Sequence, residues 1–123
     1  MILDHIGLSV SDYEKSKAFF TAALAPLGIG LAMEVQGWAG FGKTGRPQFW
    51  FGAGEGAQKP MHIAFVAENR AQVRAFYEAA LQAGAKDNGQ PGIREIYHPT
   101  YYGAFVIGPD GHNIEAVCHR AET

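Results

Sequence analysis

The 123-residue chain repeats itself once, and the repeat constrains the fold more than any other feature. Asp4-His5-Ile6-Gly7-Leu8-Ser9-Val10, followed by Lys17-Ala18-Phe19-Phe20-Thr21-Ala22-Ala23-Leu24, aligns without gaps on a second stretch. That stretch is Met61-His62-Ile63-Ala64-Phe65-Val66-Ala67, followed by Arg74-Ala75-Phe76-Tyr77-Glu78-Ala79-Ala80-Leu81. His5 to His62 and Phe19 to Phe76 span the same interval, 57 residues (62 − 5 and 76 − 19). The chain therefore reads as module one, about 1–57, and module two, about 58–123, within a single domain of 1–123.

Each module opens with a strand. Ile6, Leu8 and Val10 alternate with His5, Gly7 and Ser9, and Ile63 and Phe65 alternate with His62, Ala64 and Val66, which is period two. A helix follows each strand. Ser11 or Asp12 caps the first, whose apolar stripe is Phe19, Phe20, Ala23 and Leu24, and Pro26 and Gly28 end it. Asn69 caps the second, which carries Val73, Phe76, Tyr77 and Ala80 and stops at Gly84. Short apolar runs then recur near 29–35, 38–42 and 47–53, and again near 93–97, 101–108 and 113–118. Gly108-Pro109-Asp110-Gly111 marks a tight turn before the last run. The pattern predicts βαβββ twice, an α+β fold of about eight strands and two helices.

Composition removes several function classes. Hydrophobic residues make up 47% and charged residues 18%, which is globular. Ten Lys+Arg against twelve Asp+Glu, with no basic cluster, leave no electrostatic footprint for nucleic acid. No apolar run is long enough for a membrane span. The start, Met1-Ile2-Leu3-Asp4-His5, lacks the basic and apolar regions of a signal peptide. A single cysteine, Cys118, rules out an intrachain disulfide and fits a reducing cytoplasm.

Strand parity sorts the chemistry. With Ile6, Leu8 and Val10 packed on the helix, His5 points to the opposite face of its sheet, and His62 does so in module two. On the last run Ile114, Ala116 and Cys118 share the helix-facing side, which turns Glu115 the other way and makes Cys118 a buried, inert thiol. His5, His62 and Glu115 thus form a candidate two-His-one-carboxylate set. Such a set suits one divalent cation (Fe, Mn, Zn or Ni) with positions left open for water or substrate.

The repeat, the opening Asp4-His5-Ile6-Gly7-Leu8-Ser9-Val10-Ser11-Asp12 and the ending Pro109-Asp110-Gly111-His112-Asn113-Ile114-Glu115 resemble the vicinal oxygen chelate superfamily. That group includes glyoxalase I, extradiol dioxygenases, and fosfomycin- and bleomycin-resistance proteins. The resemblance covers the whole chain. It implies two βαβββ modules whose curved mixed sheets form a cup around a metal held by His5, His62 and Glu115, a homodimer in which that cup is formed either within one chain or from modules of two, and a small-molecule substrate. The fourth ligand of glyoxalase I, a Glu on the last strand of module one, falls on Trp50, or on Phe49 or Phe51 after a one-residue slip, and none of these binds metal. Glu55 is near but is expected in the turn. The implied activity is a metal-dependent lyase, dioxygenase or thiol transferase. The alternative is a metal-free small-molecule binding protein of the bleomycin-resistance kind.

Around the metal, Arg94-Glu95-Ile96-Tyr97-His98-Pro99-Thr100-Tyr101-Tyr102-Gly103 crowds groups able to handle protons. Parity sets Tyr102, Ala104 and Val106 on one face and Tyr101, Gly103 and Phe105 on the other; Tyr102 and His98 are taken as the catalytic candidates that line the cup. Arg94 is expected to pair with Glu95, and His112 and His119 to lie in turn and tail. Lys43-Thr44-Gly45-Arg46 reads as a hairpin turn, since it lacks the upstream glycine of a phosphate loop.

Overall fold

A computed structural model describes residues 3–54 and 59–122. In the first half, β1 (Ile6–Val10) leads into α1 (Tyr13–Leu24), and β2 (Gly30–Val35), β3 (Trp38–Lys43) and β4 (Arg46–Ala53) follow. The second half repeats the order with β5 (His62–Val66), α2 (Arg70–Gln82), β6 (Lys86–Ile93), β7 (Tyr102–Ile107) and β8 (Asn113–Cys118). Each half is a βαβββ module with its own four-stranded sheet, in the orders β1-β4-β3-β2 and β5-β8-β7-β6. The α+β architecture expected from the repeat is the architecture present, as two separate mixed sheets that do not close on each other.

Local chemistry sets the helix ends. The Asp12 carboxylate accepts the Lys15 N–H at 3.0 Å and Asn69 Oδ1 accepts the Gln72 N–H at 2.8 Å, so each helix begins on a side-chain cap. After α1, Gly28 takes the left-handed region at φ 78, and its N–H returns to the Ala25 carbonyl at 2.9 Å. That conformation carries no steric cost for glycine.

The helices lie side by side over one face of the sheets. Beneath α1, Phe20 packs on Phe49 and Phe51 at ring separations of 4.9 and 5.4 Å, with Leu8, Leu24 and Phe41 completing the layer. Beneath α2, Val73, Phe76, Val106, Ile114 and Cys118 do the same. Phe49 meets Phe65 edge-on at 5.2 Å, so the two layers are one core. Each fully buried Phe or Leu contributes about 1.5–3 kcal/mol.

The turn before β8 joins the modules a second time. Asp110, at φ 61, accepts the Ser11 N–H at 3.1 Å and the Ser11 hydroxyl, just ahead of α1. The Pro-Asp-Gly signature thus fastens the last strand of one module to the first helix of the other.

Two expectations change. The sixth strand is Lys86–Ile93, upstream of the apolar run at 93–97; Arg94 to Thr100 form a turn closed by Arg94 N–H to the Tyr101 carbonyl at 2.8 Å. Arg94 does not pair with Glu95: its guanidinium donates to the Gln90 carbonyl at 2.7 Å and lies over the Phe105 ring. His112 closes the Pro109–Gly111 turn, as expected, and is buried there, with its Nδ1 accepting the Met61 N–H at 2.9 Å. Glu55 and the 57/58 boundary lie outside the described residues. Among the described residues no helix is long and apolar enough to cross a membrane.

Candidate functional site

Both sheets leave one face free of helices, and the chemistry gathers there. On β5, His62, Ala64 and Val66 are exposed while Ile63 and Phe65 turn toward the core. On β8, Ile114, Ala116 and Cys118 lie wholly in the core, so Glu115 faces the other way. The β5–β8 ladder sets Glu115 opposite Ala64, one step from His62. His62 Nε2 stands 2.8 Å from Glu115 Oε1. Glu115 is only 1% exposed and His62 is 52% exposed, so a sequestered carboxylate is reached through a solvent-facing imidazole.

The second oxygen of that carboxylate is also held. Tyr101 donates its hydroxyl to Glu115 Oε2. Burial in the first place, and then the hydrogen bond to the carboxylate, push the Tyr101 phenol well above its ordinary value, so it stays protonated and keeps donating. Its ring is bordered by two imidazoles. His98 lies 5.4 Å from it and His119 5.2 Å, edge-on in both cases. His98 Nε2 and His119 Nδ1 are 2.6 Å apart with the rings stacked. The Thr100 N–H donates to His98 Nδ1 at 3.2 Å, so the proton of a neutral His98 is on Nε2, directed at His119.

His62, Glu115 and His98 therefore fall on one side of module two, and His119, in the tail just past β8 as expected, lies beside His98. Tyr102 does not join them. The β7–β8 ladder pairs it with Cys118 and turns it to the helix side, where its ring lies under the Arg70 and Arg74 guanidinium groups. Tyr101 takes the place on the Glu115 face. The signal was available: a hairpin through Gly108–Gly111 pairs Phe105 with Glu115, and Tyr101 shares the parity of Phe105.

His5 stands apart. Its Nδ1 is 2.7 Å from Asp4 Oδ2 and its side chain is exposed. It meets His62 only across a cleft of about 500 Å³ between the β1 and β5 edges, lined also by Ile29, Phe41, Phe49 and Ile63. Among the described residues no group of three or more His, Cys, Asp or Glu side chains is placed to hold a metal ion. Within one chain, two of the three sequence-predicted ligands converge and the third does not. The pair itself suits a cation: at bond lengths of about 2.1 Å, neighbouring ligands of a six-coordinate ion are about 3 Å apart, close to the His62–Glu115 separation.

Trp50 occupies the position expected of it. It lies opposite Gly7 in the β1–β4 ladder as Glu115 lies opposite Ala64 in the β5–β8 ladder, so an indole replaces a carboxylate at the equivalent site of module one.

The comparisons with known proteins agree with this architecture. The structure is similar to a glyoxalase/bleomycin resistance protein from Albidiferax ferrireducens T118, with 27% identity over 96% of this chain and 99% of that one, at a TM-score of 0.86. It shares its fold with a glyoxalase/bleomycin resistance protein/dioxygenase family enzyme from Burkholderia phytofirmans PsJN, at 17% identity, 95% and 98% coverage and a TM-score of 0.72. No curated protein matches the chain. A family model matches residues 2–116, nearly the whole sequence, and on that match the chain belongs to the Glyoxalase/Bleomycin resistance protein/Dioxygenase superfamily.

Proposed function

We propose that the protein is a divalent-metal-dependent enzyme of this superfamily, a lyase, dioxygenase or thiol transferase acting on a small molecule through two neighbouring oxygens. The whole chain, 1–123, acts as one domain, in the reducing cytoplasm that its free Cys118 suits. The observation that carries the reading is the meeting of His62 and Glu115 at 2.8 Å on the helix-free face, with a buried carboxylate held ready by Tyr101. When bound, the cation supplies Lewis-acid polarisation of the substrate oxygens. His62 and Glu115 hold it, and His5 of a second copy completes the ligand set in a homodimer. Among the described residues the β1 and β5 edges that border the cleft carry no partner strand, and exposed Leu3 and Val66 lie beside them, which supports that assembly. Tyr101 positions the Glu115 carboxylate, and His98, paired with His119, moves protons at the rim.

Metal content of protein purified without a histidine tag tests this. About one divalent ion per chain is expected, with loss in His62→Ala and in His5→Ala. Mixing the two variants should restore one intact site in each mixed dimer, since one chain then supplies His5 and the other His62. Metal bound by a monomer, or no recovery on mixing despite exchange of subunits, would refute the shared site. A second reading, a metal-free small-molecule binder, is favoured by Trp50 standing where a carboxylate ligand is expected. It predicts no metal and undiminished ligand binding in His62→Ala.

A further inference from the structure

Past the end of β8 the chain closes on its own turn through a pair of imidazoles. His98 stands half-buried in the turn between β6 and β7, and His119 follows Cys118, exposed. His98 Nε2 and His119 Nδ1 are 2.6 Å apart. The centres of the two near-parallel rings are 4.8 Å apart, with 27° between their planes. That distance between centres is close to the largest that so short a nitrogen contact permits, so the two nitrogens point almost straight at each other. One proton lies between two in-plane lone pairs.

Thr100 is wired to both residues. Its hydroxyl donates to the His119 carbonyl oxygen at 2.7 Å, which fastens the tail to the turn. Toward His98 it offers both kinds of partner to one ring nitrogen, since its N–H lies 3.2 Å and its Oγ1 3.3 Å from Nδ1. With the His98 proton on Nε2, Nδ1 accepts from the N–H. With the proton on Nδ1, the ring donates to Oγ1 and Nε2 turns a bare lone pair toward His119. A histidine that ligates a metal through one nitrogen needs an acceptor for the N–H of the other, and the Thr100 hydroxyl is that acceptor. Tyr101 borders both rings edge-on, at 5.4 and 5.2 Å, and so fixes their orientation.

We propose that His98 and His119 form a second cation site, separate from His62 and Glu115, which takes a nitrogen-seeking divalent ion such as zinc or copper between the two facing lone pairs. Both imidazoles stay neutral: the His98 proton moves from Nε2 to Nδ1, and His119 keeps its own on Nε2. At zinc–nitrogen bonds of about 2.0–2.1 Å, tetrahedral neighbours are about 3.3 Å apart, so the pair opens by about 0.7 Å from its 2.6 Å contact. His119, exposed and beyond the last strand, has that freedom. Water completes the shell. Donors that are imidazole alone select zinc, copper and nickel over magnesium and calcium, which favour oxygen. The ion clasps the tail to the turn that leads into Tyr101. It uses the lone pairs that a proton relay through this pair would use, so ion and relay are alternatives at one place. The inference does not depend on His62 and Glu115 holding a metal.

The experiment titrates full-length, ¹⁵N-labelled His62→Ala protein, without a histidine tag, with zinc chloride. Long-range ¹H–¹⁵N NMR spectra of the imidazoles report which ring nitrogen carries the proton. Saturable binding of about one zinc per chain is expected, with His98 switching from its Nε2–H to its Nδ1–H form. Binding should be at least tenfold weaker once His119→Ala is added, and magnesium chloride should give no response. Zinc should raise the melting temperature of His62→Ala and leave that of the double variant unchanged. Should the double variant fail to fold, His98→Gln in the same background carries the same expectations. No zinc binding, equal affinity in both proteins, shifts confined to His5, a His98 that stays in its Nε2–H form, or an equal response to magnesium would each overturn the site. Metal content of otherwise unaltered protein keeps the readings apart. An ion lost in His119→Ala and kept in His62→Ala sinks the His62–Glu115 metal reading alone, and the reverse pattern sinks the second site alone.

Discussion

Tyr101 and Tyr102 are chain neighbours whose hydroxyls are predicted to matter very differently, and the contrast tests the register of the site. Tyr101→Phe removes the only hydrogen bond made to Glu115 Oε2 among the described residues, at a carboxylate 1% exposed. A hydrogen bond to a charged group contributes about 1.5–3 kcal/mol, and burial prevents water from replacing it. Tyr102→Phe removes a hydroxyl that accepts from Arg74 Nη1 at 3.3 Å in an exposed setting, and it keeps the ring under Arg70. The expected cost there is below about 0.5 kcal/mol. For a chain this long, 1 kcal/mol moves the melting temperature by roughly 3–5 °C. Tyr101→Phe should therefore melt roughly 5–15 °C lower than the parent at pH 7, and Tyr102→Phe within about 2 °C of it. Urea denaturation followed by circular dichroism supplies the free energies. Equal losses for the two variants, or a larger loss for Tyr102→Phe, would show that the Glu115 face has been assigned to the wrong tyrosine.

The module junction and the buried imidazole give two more. Asp110→Ala removes both acceptors from Ser11 and places a Cβ-bearing residue with no polar side chain at φ 61, so a loss of about 2–3 kcal/mol is expected; Asp110→Gly, free of the backbone strain, should lose less, and urea midpoints rank them. Burial holds the His112 imidazole below its ordinary value of 6.5. Its contribution to stability is complete above that pH and falls as the pH drops, because the unfolded chain takes up the proton first. His112→Asn keeps an acceptor for the Met61 N–H and cannot titrate, so its stability should fall less between pH 7 and 5 than the parent's, read as melting temperature against pH.

Much of this was legible in the sequence because it rests on period and punctuation. β1, β5 and β8 alternate cleanly, Asp12 and Asn69 are strong caps, and the gapless repeat transfers each element from one module to the other. β6 was not legible. Lys-Asp-Asn-Gly-Gln-Pro-Gly-Ile holds one β-branched residue, two glycines and a proline, and it survives as a strand because it is an edge whose ladder to β7 shifts register twice. The run Ile93 to Tyr97 looks more like a strand, yet Ile96 is 87% exposed in a turn, since apolar content without a partner strand does not make one. Tyr102 was misplaced for a related reason. Parity separates the two tyrosines, but only pairing with β8 says which face is which. The convergence of His62 and Glu115 follows from strand register within a module, while the position of His5 depends on how two modules, or two chains, meet, and no local pattern encodes that.

The ladders allow the two modules to be laid over each other residue by residue, and the helix-free faces then differ in a systematic way. Trp38, Gly40, Trp50 and Gly52 of module one correspond to Gly103, Phe105, Glu115 and Val117 of module two. Wherever one module is large the other is small or charged. In module one, glycines at 40 and 52 give the indoles room to lie down. In module two, Gly103 performs that service for the polar cluster: a Cβ there would stand 3.1 Å from Glu115 Oε2 and 3.2 Å from the Tyr101 ring, so the carboxylate and the phenol meet over a bare backbone. The missing side chain is what lets a buried carboxylate be reached by a tyrosine from the same sheet face. A duplicated βαβββ scaffold has thus separated two demands that conflict at a single site: a flat apolar surface on one half, and a desolvated, hydrogen-bonded carboxylate on the other. Each is made by choosing where the strand carries no Cβ.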